Sequence, residues 1–125
     1  DSARVWACHI YSYAVPSEAA LAVLKRHSPL VEVGAGTGYW AALLRRRGAE
    51  VFAYDRDPPV GSRDRERATA VACNEYHGAC RGWTAVARGG PEASAQHSGV
   101  ALLLCYPPPG SPMALEALQA FGGEV

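Results

Sequence analysis

The stretch LVEVGAGTGYWAALL, Leu30 to Leu44, leaves the chain few ways to fold. A short apolar run carrying one acid meets glycines at alternate positions, Gly34, Gly36 and Gly38, and an amphipathic run follows at once. That order reads as a buried strand, a tight turn and a helix. Glycine suits such a turn because it takes positive φ without penalty and lets another group come close to the backbone. The helix that follows offers backbone N–H groups with no partner of their own.

The rest of the chain repeats the alternation. PSEAALAVLKRHSP reads as a helix with Ser17 as N-cap, Glu18 in its first turn and Lys25, Arg26 and His27 at its end, stopped by Pro29. LVEV is a strand, and a helix runs from about Gly38 to Arg47, with Gly48 ending it. Its terminal Arg45, Arg46 and Arg47 read as a solvated end matched to the helix dipole. Glu50 to Tyr54 form a second strand that ends at Asp55, and RDPPVGSRDRERATAV reads as a polar loop. WTAVA is a weak third strand, GGPEASAQH a turn, and GVALLLCY an apolar strand of the kind covered on both faces. PPPGSPMALEALQAF is a rigid loop and then a helix from about Pro112, and GGEV reads as the start of another strand. Residues 1–16 are aromatic-rich and read as irregular. Strands alternating with helices predict an α/β domain with a mainly parallel sheet and helices on both faces.

A length of 125 residues suits one domain, spanning 1–125, and a 49% hydrophobic composition can bury a core. Twelve basic residues balance twelve acidic ones, so charge gives no nucleic-acid or membrane signature. Cys8, Cys73, Cys80 and Cys105 form no C-x-x-C pair and read as reduced thiols of an intracellular, cytoplasmic protein. His9, His27, His77 and His97 lack metal-ligand spacing, so no metal is expected. No apolar run reaches the roughly 18 residues of a membrane span. The chain begins at Asp1 rather than Met, which reads as a processed or excised start.

In a parallel α/β sheet, ligands bind beyond the carboxyl ends of the strands. The glycine turn lies at one such end, and Asp55 lies at the next. A carboxylate there accepts hydrogen bonds from ribose hydroxyls and repels a ribose phosphate. The spacing is G-x-G-x-G and not the dinucleotide G-x-G-x-x-G; Tyr39 stands where that fingerprint needs its last small residue. No Gly-Lys-Ser/Thr follows either, so a pyrophosphate ligand, and with it a nicotinamide oxidoreductase, is disfavoured.

VEVGAGTGYW, VFAYD and ALLLCYPPP, taken together and in this order, resemble the first, second and fourth motifs of class I S-adenosylmethionine-dependent methyltransferases. The resemblance spans roughly Val15 to Phe121. More narrowly, YSYAVPSEAAL, EVGAGTGYWAALL and LLLCYPPPGSPMALEAL look like a group of uncharacterised methyltransferase-like proteins. The resemblance implies a Rossmann-like fold that holds S-adenosyl-L-methionine. Gly34, Ala35, Gly36 and Gly38 would wrap the cofactor, Asp55 would hold its ribose, and Glu32 would orient its amino-acid end. Tyr13, Tyr106 and Pro107 are the residues expected to face an acceptor, itself unidentified.

The adenine- and glutamine-modifying families carry Asp or Asn before the paired prolines, and here that position is Tyr106. A phenol can accept a hydrogen bond, but it serves as a base only if its pKa falls well below about 10. Tyr106 reads first as a stacking wall and only second as a catalytic group. That departure keeps an alternative open, a catalytically inactive member that binds or assembles. The adenine contact is unassigned: Gly89 and Gly90 stand where the family commonly has an acid, and Glu92 comes slightly later. NEYHG, Asn74 to Gly78, could face a substrate. The family sheet continues beyond the last helix read here, so the fold is expected to be incomplete at its C-terminal end. Either the chain is a truncated piece of a longer one, or another chain completes the sheet edge.

Overall fold

The computed structural model describes residues 2–59, 76 and 82–123. In chain order these give α1 (Ser2–Ile10), α2 (Glu18–Arg26), β1 (Leu30–Val33), α3 (Tyr39–Arg46), β2 (Val51–Asp55), β3 (Ala87–Arg88), a 3-10 turn (Pro91–Ala95), β4 (Ala101–Leu103) and α4 (Met113–Ala120). The strands form one sheet in the order β3-β2-β1-β4. Every pairing is parallel: Leu30 lies beside Val51 on one side and Ala101 on the other, and Tyr54 beside Ala87. This is the α/β, Rossmann-like architecture. The strand order reverses at β1, so a crevice opens where the chain leaves β1 and β4 on opposite sides of the sheet.

Local chemistry explains the elements. The Ser17 hydroxyl accepts from the Ala20 N–H at 3.1 Å and opens α2. Gly34, Gly36 and Gly38 all have positive φ, and Gly38 stands at the N-cap of α3. β1 is buried along its whole length, as a strand with neighbours on both sides must be. Leu21, Leu30, Leu44, Val51 and Val86 pack into one core under this sheet.

Four readings change. Residues 2–10 are helical, with only Cys8 buried; no Gly or Pro interrupts SARVWACHI. The third strand is Ala87–Arg88 and does not begin at Trp83. Residues before it are engaged by α3 instead: Arg45 donates to the Thr84 hydroxyl at 2.9 Å and the Ala85 carbonyl at 2.7 Å. The same guanidinium reaches the Val51 carbonyl at 2.6 Å, so Arg45 is a strut between α3 and the sheet and not a solvated end. Arg47 pairs with Glu18, and Arg46 is the exposed member of the three. Finally, β4 covers only Ala101–Leu103 and is half-buried. Among the described residues β1 is its sole strand neighbour, so its other side is the unpaired edge expected of an incomplete sheet.

Most of the polar loop, Cys73, Cys80, NEYHG apart from Tyr76, and the end of GGEV lie outside the described residues. No helix among the described residues is long and apolar enough to cross a membrane.

Candidate functional site

A cleft of about 590 Å³ opens at the carboxyl ends of β1, β2 and β4. One flank is the glycine turn with Asp55. The other is the segment after β4, with Tyr106, and the segment after α1, with Tyr13. Glu32 lies on its floor.

The turn's own amides are already taken. The Gly34 and Ala35 N–H groups both donate to the Tyr54 carbonyl at 2.9 Å, and the Gly36 N–H donates to Asp55 Oδ2 at 2.8 Å. A phosphate cradle needs such amides turned toward the ligand, so this turn is not built for pyrophosphate. It is built for close approach. A Cβ placed on Gly36 would meet nothing within 4 Å, although φ there is +57°. The space beside that backbone is ligand-sized room on the wall of the cleft. Gly34 also lines the cleft, with the Met113 methyl 3.0 Å from where its Cβ would stand. Gly38 does not line it. Its Cβ position falls 3.0 Å from Val86 Cγ2 and 3.3 Å from Thr84 Cγ2, so this glycine lets α3 sit against the core.

Asp55 ends β2 and faces the same space. Its Oδ1 accepts from the Asp57 N–H at 2.9 Å while Oδ2 holds Gly36. The two bonds orient the carboxylate at the mouth of the glycine turn, and a carboxylate accepts hydrogen bonds from hydroxyl groups. Glu32 is 2% exposed, and its Oε2 has no hydrogen-bond partner among the described residues. Burial pushes its carboxyl up to about 7; Arg45 opposes that shift and Asp55 adds to it. An unpaired buried carboxylate oxygen is costly. A ligand carrying a charged N–H donor would supply what the protein leaves out.

The Tyr106 flank is made of rings. Tyr106 is the non-glycine residue with positive φ among the described residues, at 53°, a conformation that costs about 1 kcal/mol or more. Its ring stacks on Tyr13, centroids 5.5 Å apart and planes 14° apart. Tyr13 is held from both sides: the Thr37 hydroxyl donates to the Tyr11 carbonyl, and Trp40 Nε1 donates to the Ala14 carbonyl at 2.8 Å. Tyr11, Tyr39 and Trp83 form a second aromatic group beside it, with centroids 5.2 to 5.4 Å apart. Trp83 Nε1 closes it by donating to the Ile10 carbonyl at 2.7 Å.

The cleft therefore brings Glu32, Gly34, Ala35, Gly36, Asp55, Tyr13 and Tyr106 together. Gly38 and Pro107 stand outside its lining. Glu92 folds back to accept from the Gly90 N–H at 2.8 Å, and those backbone bonds hold its carboxyl below the usual range. Gly89 and Gly90 line the cleft in its place. Tyr76, from NEYHG, also lines it. Thr37, Trp40, Met113 and Cys105 were not marked out by sequence. Burial, with Glu32's charge adding, pushes the Cys105 thiol up to about 11, which makes it a poor nucleophile. Among the described residues no group of His, Cys, Asp and Glu could hold a metal ion.

Comparison with known proteins points the same way as the crevice. The chain is 30% identical over 113 residues to protein-L-isoaspartate O-methyltransferase 2 of Marinobacter nauticus, covering 90% of this chain and 49% of that protein. It is 48% identical over 42 residues to a protein-L-isoaspartate O-methyltransferase of Methylorubrum extorquens, covering 34% of this chain and 18% of that protein. The chain thus spans about half the length of the first relative and under a fifth of the second. It has weak, partial homology to methyltransferases. No family model matches it, and no solved structure matches it significantly.

Proposed function

We propose that residues 1–125 act as one S-adenosyl-L-methionine-binding domain of a methyltransferase. The observation that carries this reading is the Glu32 carboxylate, buried on the floor of the cleft with Oε2 unpartnered among the described residues. The cofactor's ammonium group is a donor of the right charge for it. Asp55, fixed by two backbone bonds at the end of β2, suits the ribose hydroxyls. The open space beside Gly36 suits a ligand lying against the backbone, and Gly34 and Ala35 continue that wall. The weak, partial likeness to curated methyltransferases supports the same reading.

When bound, the cofactor supplies an electrophilic methyl group. What this chain adds is placement, the main route by which such an enzyme accelerates transfer. Glu32 and Asp55 grip the two ends of one ligand, and Tyr13 and Tyr106 wall the space next to it. The relatives' names specify an isoaspartyl carboxylate as acceptor. For this chain the acceptor is left open, and Tyr13 and Tyr106 are the residues that would face it. A second reading, a catalytically inactive binding member, is favoured by one observation: the position after β4 that carries Asp or Asn in amine-modifying relatives of the motif holds a stacked tyrosine.

Calorimetric titration with S-adenosylmethionine, S-adenosylhomocysteine and NAD tests the proposal. Binding of the first two with no uptake of NAD is expected. Preference for NAD, or no binding of either sulfur ligand by folded protein, would refute it.

A further inference from the structure

Beyond the cofactor, we infer that the Tyr13–Tyr106 wall binds a flat, positively charged aromatic ring. This binding does not depend on the methyltransferase reading above.

Two independent features carry the inference. The first is the wall. Tyr13 and Tyr106 come from segments far apart in sequence, yet their rings lie nearly parallel at 5.5 Å on one flank of the cleft. Both are set in place before any ligand arrives. Tyr13 sits between two carbonyls tied down by Thr37 and Trp40, and Tyr106 is held in a backbone conformation that few tyrosines adopt. Rigid aromatic faces bind planar rings by stacking and cations by the ring quadrupole.

The second is charge. The described residues lining the cleft carry three carboxyl groups, Glu32, Asp55 and Glu116, against one basic residue, Arg56. Arg56 is directed to Asp57, 3.4 Å away. Once Glu32 is ionised, the described lining therefore carries more negative than positive charge, which favours a cation over an anion. A carboxylate acceptor would meet this field with no guanidinium or ammonium beside Tyr106 among the described lining residues.

The wall is also separate from the place a nucleoside would occupy. Asp55 ends β2 and Tyr106 follows β4, with β1 between them in the sheet. Two strand spacings put the two flanks roughly 10 Å apart. A ring on Tyr13–Tyr106 and a ribose on Asp55 need not compete.

The test uses two probes of equal size and opposite charge, N-methylquinolinium and 2-naphthoate, titrated calorimetrically above the Glu32 titration. N-methylquinolinium should bind about tenfold or more tightly than 2-naphthoate. Tyr13→Ala and Tyr106→Ala should each abolish most of that binding, while Tyr106→Phe keeps it within about twofold, since the π-face remains. Tyr106 is exposed, so its variants should fold, and circular dichroism checks this. Saturating S-adenosylhomocysteine should leave the probe bound. Equal or tighter binding of 2-naphthoate, no binding of N-methylquinolinium, unchanged binding in both alanine variants, or displacement by S-adenosylhomocysteine would each overturn the inference. Failure of S-adenosylhomocysteine to bind at all, with the probe still bound through Tyr106, strikes the cofactor reading and leaves the ring site standing.

Discussion

On the Asp55 flank of the cleft the backbone does the positioning; on the Tyr106 flank side chains from distant segments do it. Gly36 and Asp55 are 19 residues apart and joined by a single bond from an amide to a carboxylate at the ends of adjacent strands. Tyr13 and Tyr106 come from opposite ends of the described chain, and their meeting depends on Thr37, Trp40 and the segment after β4. The first flank is specified by local sequence and a parallel register. The second is specified only once the whole domain has packed. The first should therefore fail sharply when one atom is added, and the second gradually as its supports are loosened.

The largest expected effect tests the first flank. Gly36→Val fills the open space beside the turn and puts a branched residue at φ +57°. S-adenosylhomocysteine binding should fall by about a thousandfold or more, while left-handed strain lowers stability by about 1–2 kcal/mol. Calorimetry and a thermal melt on the same sample separate the two. A folded variant that binds normally would mean the ligand lies elsewhere.

Asp55→Ala comes next. It removes a charged acceptor together with the bonds to Gly36 and Asp57. The affinity for S-adenosylhomocysteine should weaken by roughly 2–4 kcal/mol. The matching control is Tyr106→Ala, which should change that affinity by less than about threefold if the flanks are independent. Equal losses in the two variants would break the comparison.

How much of this could be read in advance follows the same division. The strand–turn–helix at Gly34–Gly38 and the acid at the end of β2 were legible because periodicity, glycine spacing and strand order are short-range signals. So was the parallel α/β layering. The helix Ser2–Ile10 was not, because its faces are mostly exposed and it shows no apolar stripe to read. Arg45 looked like a helix-end charge, since nothing local says that its guanidinium will find the Thr84, Ala85 and Val51 oxygens. GVALLLCY is apolar throughout and read as one long strand, but only Ala101–Leu103 pair with β1, because apolarity does not mark where a ladder ends. Tyr13 and Tyr106 stood out as aromatic residues. That they stack is a fact of tertiary packing alone. Gly38 shows the limit within a motif: its spacing matches its neighbours, yet it packs on Val86 and Thr84.

Glu32 links the flanks, and pH reads it. Its folded pKa of about 7 lies above the ordinary 4.5, so the native state holds a proton that the unfolded chain has released. Stability from this group is complete below about 4.5 and is lost as pH rises through about 7, by on the order of 3 kcal/mol. Affinity for an ammonium-bearing ligand should move the other way and tighten as pH rises through 7, because the ionised carboxylate is the better partner. Glu32→Gln should flatten both profiles. Melting and calorimetry from about pH 5 to pH 8 check this. If both profiles rise or fall together, Glu32 does not face the ligand's charge.

The smallest expected effect tests whether the ring flank is as preorganised as its geometry implies. Trp40→Phe keeps an aromatic ring on α3 and removes one donor, the Nε1–H that holds the Ala14 carbonyl at 2.8 Å. A partly buried carbonyl left without that donor costs about 1 kcal/mol, which a thermal melt can resolve. Affinity for S-adenosylhomocysteine should stay within about twofold, since Trp40 donates no bond to Gly36 or Asp55 and the altered atom serves the other flank. Binding of N-methylquinolinium should weaken by a few fold, because Tyr13 then keeps one of its two backbone ties, the one from Thr37, and must be ordered when the ring arrives. Thr37→Val removes the other tie, and the double variant should lose more than either single one. Should Trp40→Phe weaken the cofactor analogue and leave the ring cation untouched, the tryptophan supports the glycine turn, and the division between the two flanks is drawn in the wrong place.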